Sequence, residues 1–279
     1  MKKIFAVMLA IALLCASAAC AETLKMGSSI DFAPYEYYDD VTGDIVGIDV
    51  EIAKAVCDKL GADLEIVDMQ FDSIIAAVVA GKVDFGMSGF TVTEERKQSV
   101  DFSTTYTTAK QSVIVPADST ITTVDDLFDA EAEYKIGVQI GTTGDLYITD
   151  DVESNGLKHS IERYNKYPDA VMAVASGKLD CVIMDDQVAI AYVAANEGLE
   201  LLDTAYAYEE YAICFAKESA LYDPFNAALE ELIADGTVQG IIDVQSGGTF
   251  SMNYNAYNKK YETGASICGQ LRMEDGSIL

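Results

Sequence analysis

Apolar and polar positions alternate in two periods along the first third of the chain. Strand-like runs occupy 23–29 (TLKMGSS), 63–69 (DLEIVDM) and 83–87 (VDFGM). Between them, 49–60 and a segment from about Asp72 carry apolar residues at helical spacing, and each stops at a glycine. This β-α-β-α-β order predicts a mainly parallel sheet covered by helices.

The same order returns further along the chain. Its elements are a strand at 135–139, a turn into a helix at 141–144, a strand at 159–165, a helix from Pro168 to Gly177, a strand at 179–184 and a helix at 186–196. Two stretches also echo each other, AGKVDFGMSG (80–89) and SGKLDCVIMD (176–185). Each is a helix end, Gly-Lys, an apolar residue, Asp and a short strand. We therefore expect an α/β protein with two similar lobes.

The first residues follow a different pattern. Lys2 and Lys3 precede an apolar run over 4–14 and small residues up to Ala21, which predicts a secretory signal peptide over 1–21 and an exported, soluble protein. The run is too short to span a membrane. Cys20 sits in an Ala-x-Ala cleavage site but is also a candidate lipidated N-terminus. Ser17, three residues earlier, favours plain cleavage over a lipid anchor.

Composition excludes one class of partner. The chain has 46 acidic and 18 basic residues and a formal net charge of −28. Nucleic-acid phosphates require Lys and Arg, so no nucleic-acid partner is expected. The acids are spread along the sequence, which favours a solvated surface and a self-repelling monomer.

Four cysteines follow the signal peptide: Cys57, Cys181, Cys214 and Cys268. Their spacings match no metal motif, and three lie within apolar runs. We expect buried free thiols, with a Cys181–Cys214 disulfide as the alternative.

The stretch SGFTVTEERKQSVDFS (88–103) raises the question of chemistry. In open α/β sheets, ligands bind beyond the carboxyl ends of strands. The first of the two similar stretches, 80–89, places Ser88 and Gly89 at such an edge, and the second, 176–185, places Asp185 there. If the lobes face each other, Arg96 offers a cation on one side and Asp185 an anion on the other. A free amino acid carries the same pair of charges.

Several of these residues have a simpler explanation. Arg96, expected one turn into a helix capped by Thr93, is either a carboxylate clamp or a surface arginine paired with a glutamate. Thr142 and Thr143 form a second anion site at a helix N-terminus, or only cap that helix. One of Asp185 and Asp186 is expected to be a helix cap, and the echo favours Asp185 as the ammonium acceptor.

Aromatic residues cluster at DFAPYEYY (31–38) and recur at Phe71 and Phe90. Phe32 and Phe71 lie at loops, where stacking on a ligand side chain is plausible. His159 is the only histidine and falls in a predicted strand. No Ser-His-Asp set, His-based metal site or phosphate-binding glycine motif is present, so no metal or cofactor is expected.

Five motifs together resemble one family. They are DFAPYEY, GIDVEIAKAV, FDSIIAAVVAGKVDFGMSGFTVTEERKQSVDFS, GVQIGTTG and GKLDCVIMDD, within a match from about Leu24 to Val244. The chain is similar to extracellular solute-binding proteins of the polar-amino-acid family, the receptors of ABC importers. The resemblance implies a periplasmic-binding-protein type II fold with two crossover strands joining lobes that close over the ligand.

The resemblance also implies roles for ten residues. Arg96 clamps the α-carboxylate, helped by Thr91 and by Thr142 or Thr143. Asp185, the backbone of Gly89 and the Thr91 hydroxyl receive the α-ammonium. The side chain is sandwiched by Phe32 and Phe71, over a floor of Ser88 and Phe90.

Domain boundaries follow from the same resemblance. Lobe one is expected to combine 22–108 with 212–279, and lobe two to be an insert over 112–205. The chain should cross near 108–111 and return near 205–211.

Two departures from the family are visible. Relatives that prefer cationic amino acids often carry Asp where this chain has Ser29, which lowers the expected preference for arginine or lysine. The chain also lacks the usual Lys-Trp or Lys-Tyr pair near its end, and the stretch 245–279 has no functional explanation.

The predicted function is a non-catalytic receptor that binds a free amino acid, whose side chain the sequence leaves open, and delivers it to the membrane permease of an ABC importer. The alternative is a dehydratase-like enzyme on the same fold, acting on a small cyclic carboxylate.

Overall fold

The computed structural model describes residues 21–246. The predicted signal peptide except Ala21, Cys20, Cys268 and nearly all of the stretch 245–279 lie outside the described residues.

The strands in chain order are β1 (Thr23–Ser28), β2 (Tyr37–Tyr38), β3 (Ile45–Val46), β4 (Asp63–Asp68), β5 (Phe85–Gly86), β6 (Val100–Phe102), β7 (Thr107–Pro116), β8 (Lys135–Gln139), β9 (Ser160–Tyr164), β10 (Cys181–Asp185), β11 (Leu199–Leu201), β12 (Ala207–Tyr211) and β13 (Cys214–Ala216). The helices are α1 (Ile48–Leu60), α2 (Phe71–Val79), α3 (Thr143–Asn155), α4 (Tyr167–Ala175), α5 (Asp186–Ala195), α6 (Tyr222–Ala234) and α7 (Thr237–Gln245). Every element predicted from periodicity is present, with ends shifted by at most about two residues.

The strands form two main sheets, one in each lobe, and a small sheet of β2 and β3. The first has the order β4-β1-β5-β13-β6, and the second has β11-β7-β10-β8-β9 with β12 also paired to β7. Helices pack against both sheets, so the predicted two-lobed α/β class is confirmed.

The prediction that each sheet is mainly parallel is confirmed, with one reversed strand in each: β13 in the first sheet and β7 in the second. In the first sheet β1 pairs parallel with β4 and β5, but β13 pairs antiparallel with β5 and β6. In the second sheet β8 pairs parallel with β9 and β10, but β7 pairs antiparallel with three strands. The antiparallel members belong to the chain segments that pass from one lobe to the other and back.

Two strands, β7 and β12, carry the chain between the lobes. They pair with each other from Thr107 opposite Tyr211 to Gln111 opposite Ala207. The crossings expected from the sequence lie within or beside these strands. The exact lobe boundaries stay a prediction.

The three cysteines that the structure describes, Cys57, Cys181 and Cys214, are free and buried. Cys181 lies in the second sheet and Cys214 in the first, so the alternative disulfide is wrong. Burial raises the pKa of Cys57 to about 11, which keeps this thiol protonated and unreactive. Within the described range, no helix combines the length and apolar character that a membrane span requires.

Gly47 determines how the chain enters α1 and therefore where α1 places Asp49. Its φ is +131°, a conformation that L side chains rarely adopt. A Cβ at this position would lie 2.1 Å from the backbone oxygen of Tyr35.

We predict that Gly47→Ala lowers the free energy of unfolding by roughly 3 kcal/mol, from backbone strain together with this clash. Gly43→Ala is the matched control, because Gly43 has a φ of +75° but open space around its Cβ position. Gly43→Ala should lower the free energy of unfolding by only about 1 kcal/mol. Urea unfolding midpoints measure both, and equal losses would contradict the role of the close contact.

Candidate functional site

A small cavity lies between the two lobes. The residues that line it are Ser29, Asp31, Phe32, Phe71, Ser88, Gly89, Thr91, Arg96, Gln139, Thr142 and Thr143. Ser29 and Ser88 follow strands of the first sheet, and Gln139 ends β8 of the second. The cavity therefore lies at the carboxyl ends of strands from both sheets. Eight of the ten predicted residues line it, whereas Phe90 and Asp185 do not.

Arg96 is a buried cation within this cavity, with 7% of its surface exposed. Its guanidinium donates to the backbone oxygen of Thr91 at 2.8 Å and, from the other lobe, to that of Gly141 at 3.1 Å. Among residues 21–246, no carboxylate forms an ion pair with it. Burial lowers the pKa of Arg96, and the charge of Glu209 opposes this shift. A buried guanidinium with only carbonyl partners is suited to bind an anion.

The local structure around Arg96 differs from the sequence prediction. Arg96 begins a short 3₁₀ turn, Arg96–Gln98, instead of lying one turn into a helix. The hydroxyl of Thr93 accepts the Arg96 backbone N–H at 3.1 Å. The turn is short because Val100 already enters β6, leaving no length for an α-helix.

Two stacked phenylalanine rings lie beside the guanidinium of Arg96. The Arg96 Cζ atom lies 5.5 Å from the ring centre of Phe71 and 5.3 Å from that of Phe90. Phe90 stacks on Phe71 with centroids 4.7 Å apart and is fully buried. Phe90 is not among the residues that line the cavity, and its role at the floor stays a prediction. Phe32 lies on the opposite lobe from Tyr167 and stacks on it at 6.0 Å.

The two threonines after β8 have different roles. Thr142 is the N-cap of α3: its hydroxyl accepts the Asp145 N–H at 3.3 Å and donates to the Gln139 oxygen at 2.8 Å. Thr143 is the first residue of the helix, and its hydroxyl lies 3.5 Å from that of Thr91 across the cleft. The Thr142 proton is thus already used within its own loop, which leaves Thr143 as the better ligand donor.

The structure does not bring Asp185 to the cavity. Asp185 ends β10, and its carboxylate accepts a hydrogen bond from the Tyr211 hydroxyl on the crossing strand β12. That contact holds the side chain towards the crossing strands. Burial, followed by the charge of Glu209, raises the pKa of Asp185 well above its usual range. Asp185 also occupies the N-cap position of α5, although its side chain makes no capping bond.

Three lining residues were not predicted as site residues: Ser29, Asp31 and Gln139. The Ser29 hydroxyl donates to Asp31 Oδ1 at 2.8 Å, while Oδ2 is buried and has no hydrogen bond among the described residues. Burial raises the pKa of Asp31, and the Ser29 hydrogen bond opposes it. Asp31 could have been predicted from the sequence, because it directly precedes Phe32 in the loop that was expected to reach the ligand.

Two buried acids support the loop of Ser88 and Gly89. Ser88 donates to Glu36 at 2.6 Å, and the Gly89 N–H donates to Asp49 Oδ2 at 2.8 Å. Burial, opposed by the Gly89 N–H, raises the pKa of Asp49 to about 6. Burial and the Asp49 charge raise the pKa of Glu36 well above its usual range. Gly89 has a φ of +56°, and a Cβ there would lie 2.9 Å from Phe32.

No metal site accompanies the cleft within residues 21–246, where no group of His, Cys, Asp and Glu is arranged to hold an ion. The ring of His159 is held between the backbone N–H of Tyr134 and the backbone oxygen of Leu127.

Two facing lobes with a buried cleft at their strand ends define a two-lobed solute-binding protein. A family model for bacterial extracellular solute-binding proteins, family 3, matches residues 24–244. The chain therefore belongs to this family. An exported location, in the periplasm or at the cell surface, follows from this membership.

Individual relatives agree with the family match. The arginine-binding extracellular protein ArtP of Bacillus subtilis is 38% identical over 77% of this chain and 83% of its own length. An ancestral arginine-binding protein bound to arginine matches with a TM-score of 0.73 and 35% identity, over 80% of this chain and 97% of its own. The arginine-, lysine-, histidine-binding protein ArtJ of Geobacillus stearothermophilus matches with a TM-score of 0.71 and 32% identity, over 81% and 96%. The predicted class, an amino-acid receptor of an ABC-type importer, is confirmed.

We predict that Glu36→Gln removes a pH-dependent destabilisation. Because the pKa of Glu36 is higher in the folded protein, Glu36 loses its proton at a lower pH in the unfolded chain, from about pH 4.5 upwards. The wild type therefore loses stability between about pH 4.5 and the native pKa, whereas the glutamine variant does not. The two proteins should be equally stable at pH 4, and the variant more stable by at least about 1 kcal/mol at pH 7.5.

Urea unfolding without ligand across this pH range measures the difference. Glu153→Gln, at an exposed position of α3, is the control and should differ from the wild type by less than about 0.5 kcal/mol at every pH. A Glu36→Gln effect that is independent of pH would contradict the explanation.

Proposed function

We propose that the protein captures L-arginine, or an amino acid with a similarly cationic side chain, by closing its two lobes around it. It would act as a monomer and deliver the unchanged ligand to the membrane permease of an ABC importer. The signal sequence supports release by plain cleavage over attachment through Cys20. One observation carries the proposal: the charged residues that line the cavity are Arg96, which has no carboxylate partner among the described residues, and Asp31, which has a buried free oxygen.

The α-carboxylate is assigned to the Arg96 end of the cavity. Arg96 can form two parallel hydrogen bonds to a carboxylate, and its present partners are only backbone oxygens. Thr91 and Thr143 place hydroxyls on either side of this position, and Thr143 adds the N-terminus of a 13-residue helix. The backbone of Gly89 and the hydroxyl of Thr91 are assigned to the α-ammonium, with the buried acids Asp185 and Glu209 behind the wall.

The cationic side chain is assigned to Asp31. Relatives that prefer cationic amino acids often carry an aspartate at the position of Ser29. We assign the corresponding role, binding the ligand's cationic side chain, to Asp31. Here the Ser29 hydroxyl holds the carboxylate of Asp31, so the negative charge is present two residues later. Phe32 and Phe71 supply apolar surfaces for the aliphatic part of the ligand and for a planar guanidinium. The names of the relatives support the same assignment.

Closure is supported by contacts that join the lobes at the site itself. Arg96 donates to Gly141 across the cleft, and the Tyr192 hydroxyl of α5 donates to the backbone oxygen of Asp31 at 3.2 Å. A ligand that contacts Arg96 and Asp31 therefore binds beside the contacts that form on closure. This geometry favours a closed, ligand-bound form that a permease can recognise.

Thermal unfolding of the mature protein against a panel of amino acids tests the proposal. A ligand at about 100 times its Kd should stabilise the fold by about 2.7 kcal/mol. L-Arginine is expected to give the largest shift and to be recovered chemically unchanged. A panel in which no amino acid raises the melting temperature would overturn the proposal.

We predict that Arg96→Ala weakens L-arginine binding by at least about 30-fold, because the ligand carboxylate then lies buried without its charged partner. Calorimetric titration measures the Kd, and circular dichroism checks that the variant is folded. Lys97→Ala is the control, since Lys97 is exposed and pairs with Glu94. Arg96→Ala binding within threefold of the wild type would show that the guanidinium does not contact the ligand.

We predict that Asp31→Asn reduces the preference for L-arginine over L-citrulline by about tenfold or more. Citrulline has nearly the same shape but a neutral end group, so the ratio of the two affinities isolates the charge interaction. Asp40→Asn, at an exposed position, is the control. An unchanged ratio in Asp31→Asn would place the side-chain acceptor elsewhere.

A further inference from the structure

Three buried polar residues lie behind the cavity on one face of the second sheet. Gln111 of β7 pairs with Asp185 of β10 on one side and with Ala207 of β12 on the other. Glu209 lies two residues further along β12 and therefore shares this face. Gln111 and Glu209 are almost completely buried, at 0% and 1% exposure.

Glu209 accepts a hydrogen bond from the Gln111 amide, and Asp185 is a second carboxylate that interacts with the Gln111 side chain. Gln111 Nε2 lies 2.9 Å from Glu209 Oε2, and a carboxylate only accepts hydrogen bonds. The amide must therefore turn its NH₂ group, and not its oxygen, towards Glu209. The Gln111 oxygen lies on the other side, where a Cβ added to Gly144 would approach it to 3.0 Å.

The same nitrogen also reaches the cavity wall. Gln111 Nε2 lies 3.4 Å from the hydroxyl oxygen of Thr143, which lines the cavity. A hydroxyl that accepts a hydrogen bond still carries one proton to donate. The Thr143 proton is then directed away from Gln111, towards the cleft and the Thr91 hydroxyl at 3.5 Å.

We propose that Glu209 is a positioning residue of the binding site: by fixing the orientation of the Gln111 amide, it makes the Thr143 hydroxyl a hydrogen-bond donor to the ligand carboxylate. Glu209 does not contact the ligand. With the amide reversed, the Gln111 oxygen would accept the Thr143 proton, and Thr143 would turn lone pairs towards the carboxylate. This inference rests on the proposed function.

A second observation supports a specific role for this acid. Within the described residues Glu209 forms no salt bridge, and its Oε1 has no hydrogen bond. A buried carboxylate of this kind is costly to the fold. A carboxylate at position 209 can only accept a hydrogen bond from Gln111. A glutamine of the same size could present either its oxygen or its NH₂ group, and would therefore not fix the orientation of the Gln111 amide.

The experiment compares L-arginine with agmatine, which lacks the carboxylate, in the full mature chain. Glu209→Gln should weaken the binding of L-arginine by about tenfold to hundredfold, the range for one buried hydrogen bond to a charged group. Agmatine binding, measured by thermal shift at millimolar concentration, should change by less than about threefold. Glu210→Gln removes the same charge from the neighbouring, partly exposed position and should leave L-arginine binding unchanged.

A double-mutant cycle separates positioning from a general charge effect. In a Thr143→Ala background, Glu209→Gln should cause no further loss of L-arginine affinity, because the hydroxyl on which it acts is absent. Additive losses, an equal loss for agmatine, or an equal effect of Glu210→Gln would each overturn the proposal. If Glu209→Gln does not fold, Gln111→Glu makes the same test, because it presents an acceptor oxygen to Thr143.

Failure of this inference is distinguishable from failure of the proposed function. A wild-type protein that binds no amino acid overturns the function. A wild type that binds L-arginine, with a Glu209→Gln variant of equal affinity, overturns only the role of Glu209.

Discussion

The site depends on one buried positive charge that lacks a negative partner among the described residues. Arg96 is held by two backbone oxygens and two phenylalanine rings, which compensate only part of the cost of removing a guanidinium from water. In the proposed function, the ligand carboxylate supplies the missing interaction. Because one of the two oxygens comes from Gly141 on the other lobe, the residue proposed to bind the carboxylate also contacts the opposite lobe. Under this proposal, ligand capture and lobe contact share a single side chain.

The fold could be predicted largely from local sequence, because periodicity and glycine positions determine each strand and helix separately. The single reversed strand in each sheet could not be predicted, since β13 pairs with β5 across more than a hundred residues. The same limit applies to the site. Arg96, Thr91 and Phe71 follow local elements, and the structure places them at the cavity as expected. Asp185 was placed wrongly because Tyr211, distant in sequence, holds its carboxylate. Gln111 and Glu209, 98 residues apart, leave no local signal.

The acidic composition also has a different meaning in the folded protein. From the sequence, the acids indicated a solvated surface. The structure buries Glu36, Asp49, Asp185 and Glu209 around the cleft and the crossing strands. Neighbouring buried acids cannot all ionise cheaply, and burial raises the pKa of the first three.

The paired crossing strands have a consequence for how the lobes move. Five successive residues of β7 are joined to five of β12 by an antiparallel ladder, from Thr107 opposite Tyr211 to Gln111 opposite Ala207. Two separate linkers would let the lobes twist and slide independently, but a hydrogen-bonded ribbon bends mainly about one axis. Opening and closing then reduce to one angular coordinate. A transport protein that recognises this angle can distinguish loaded from empty receptors without contacting the ligand.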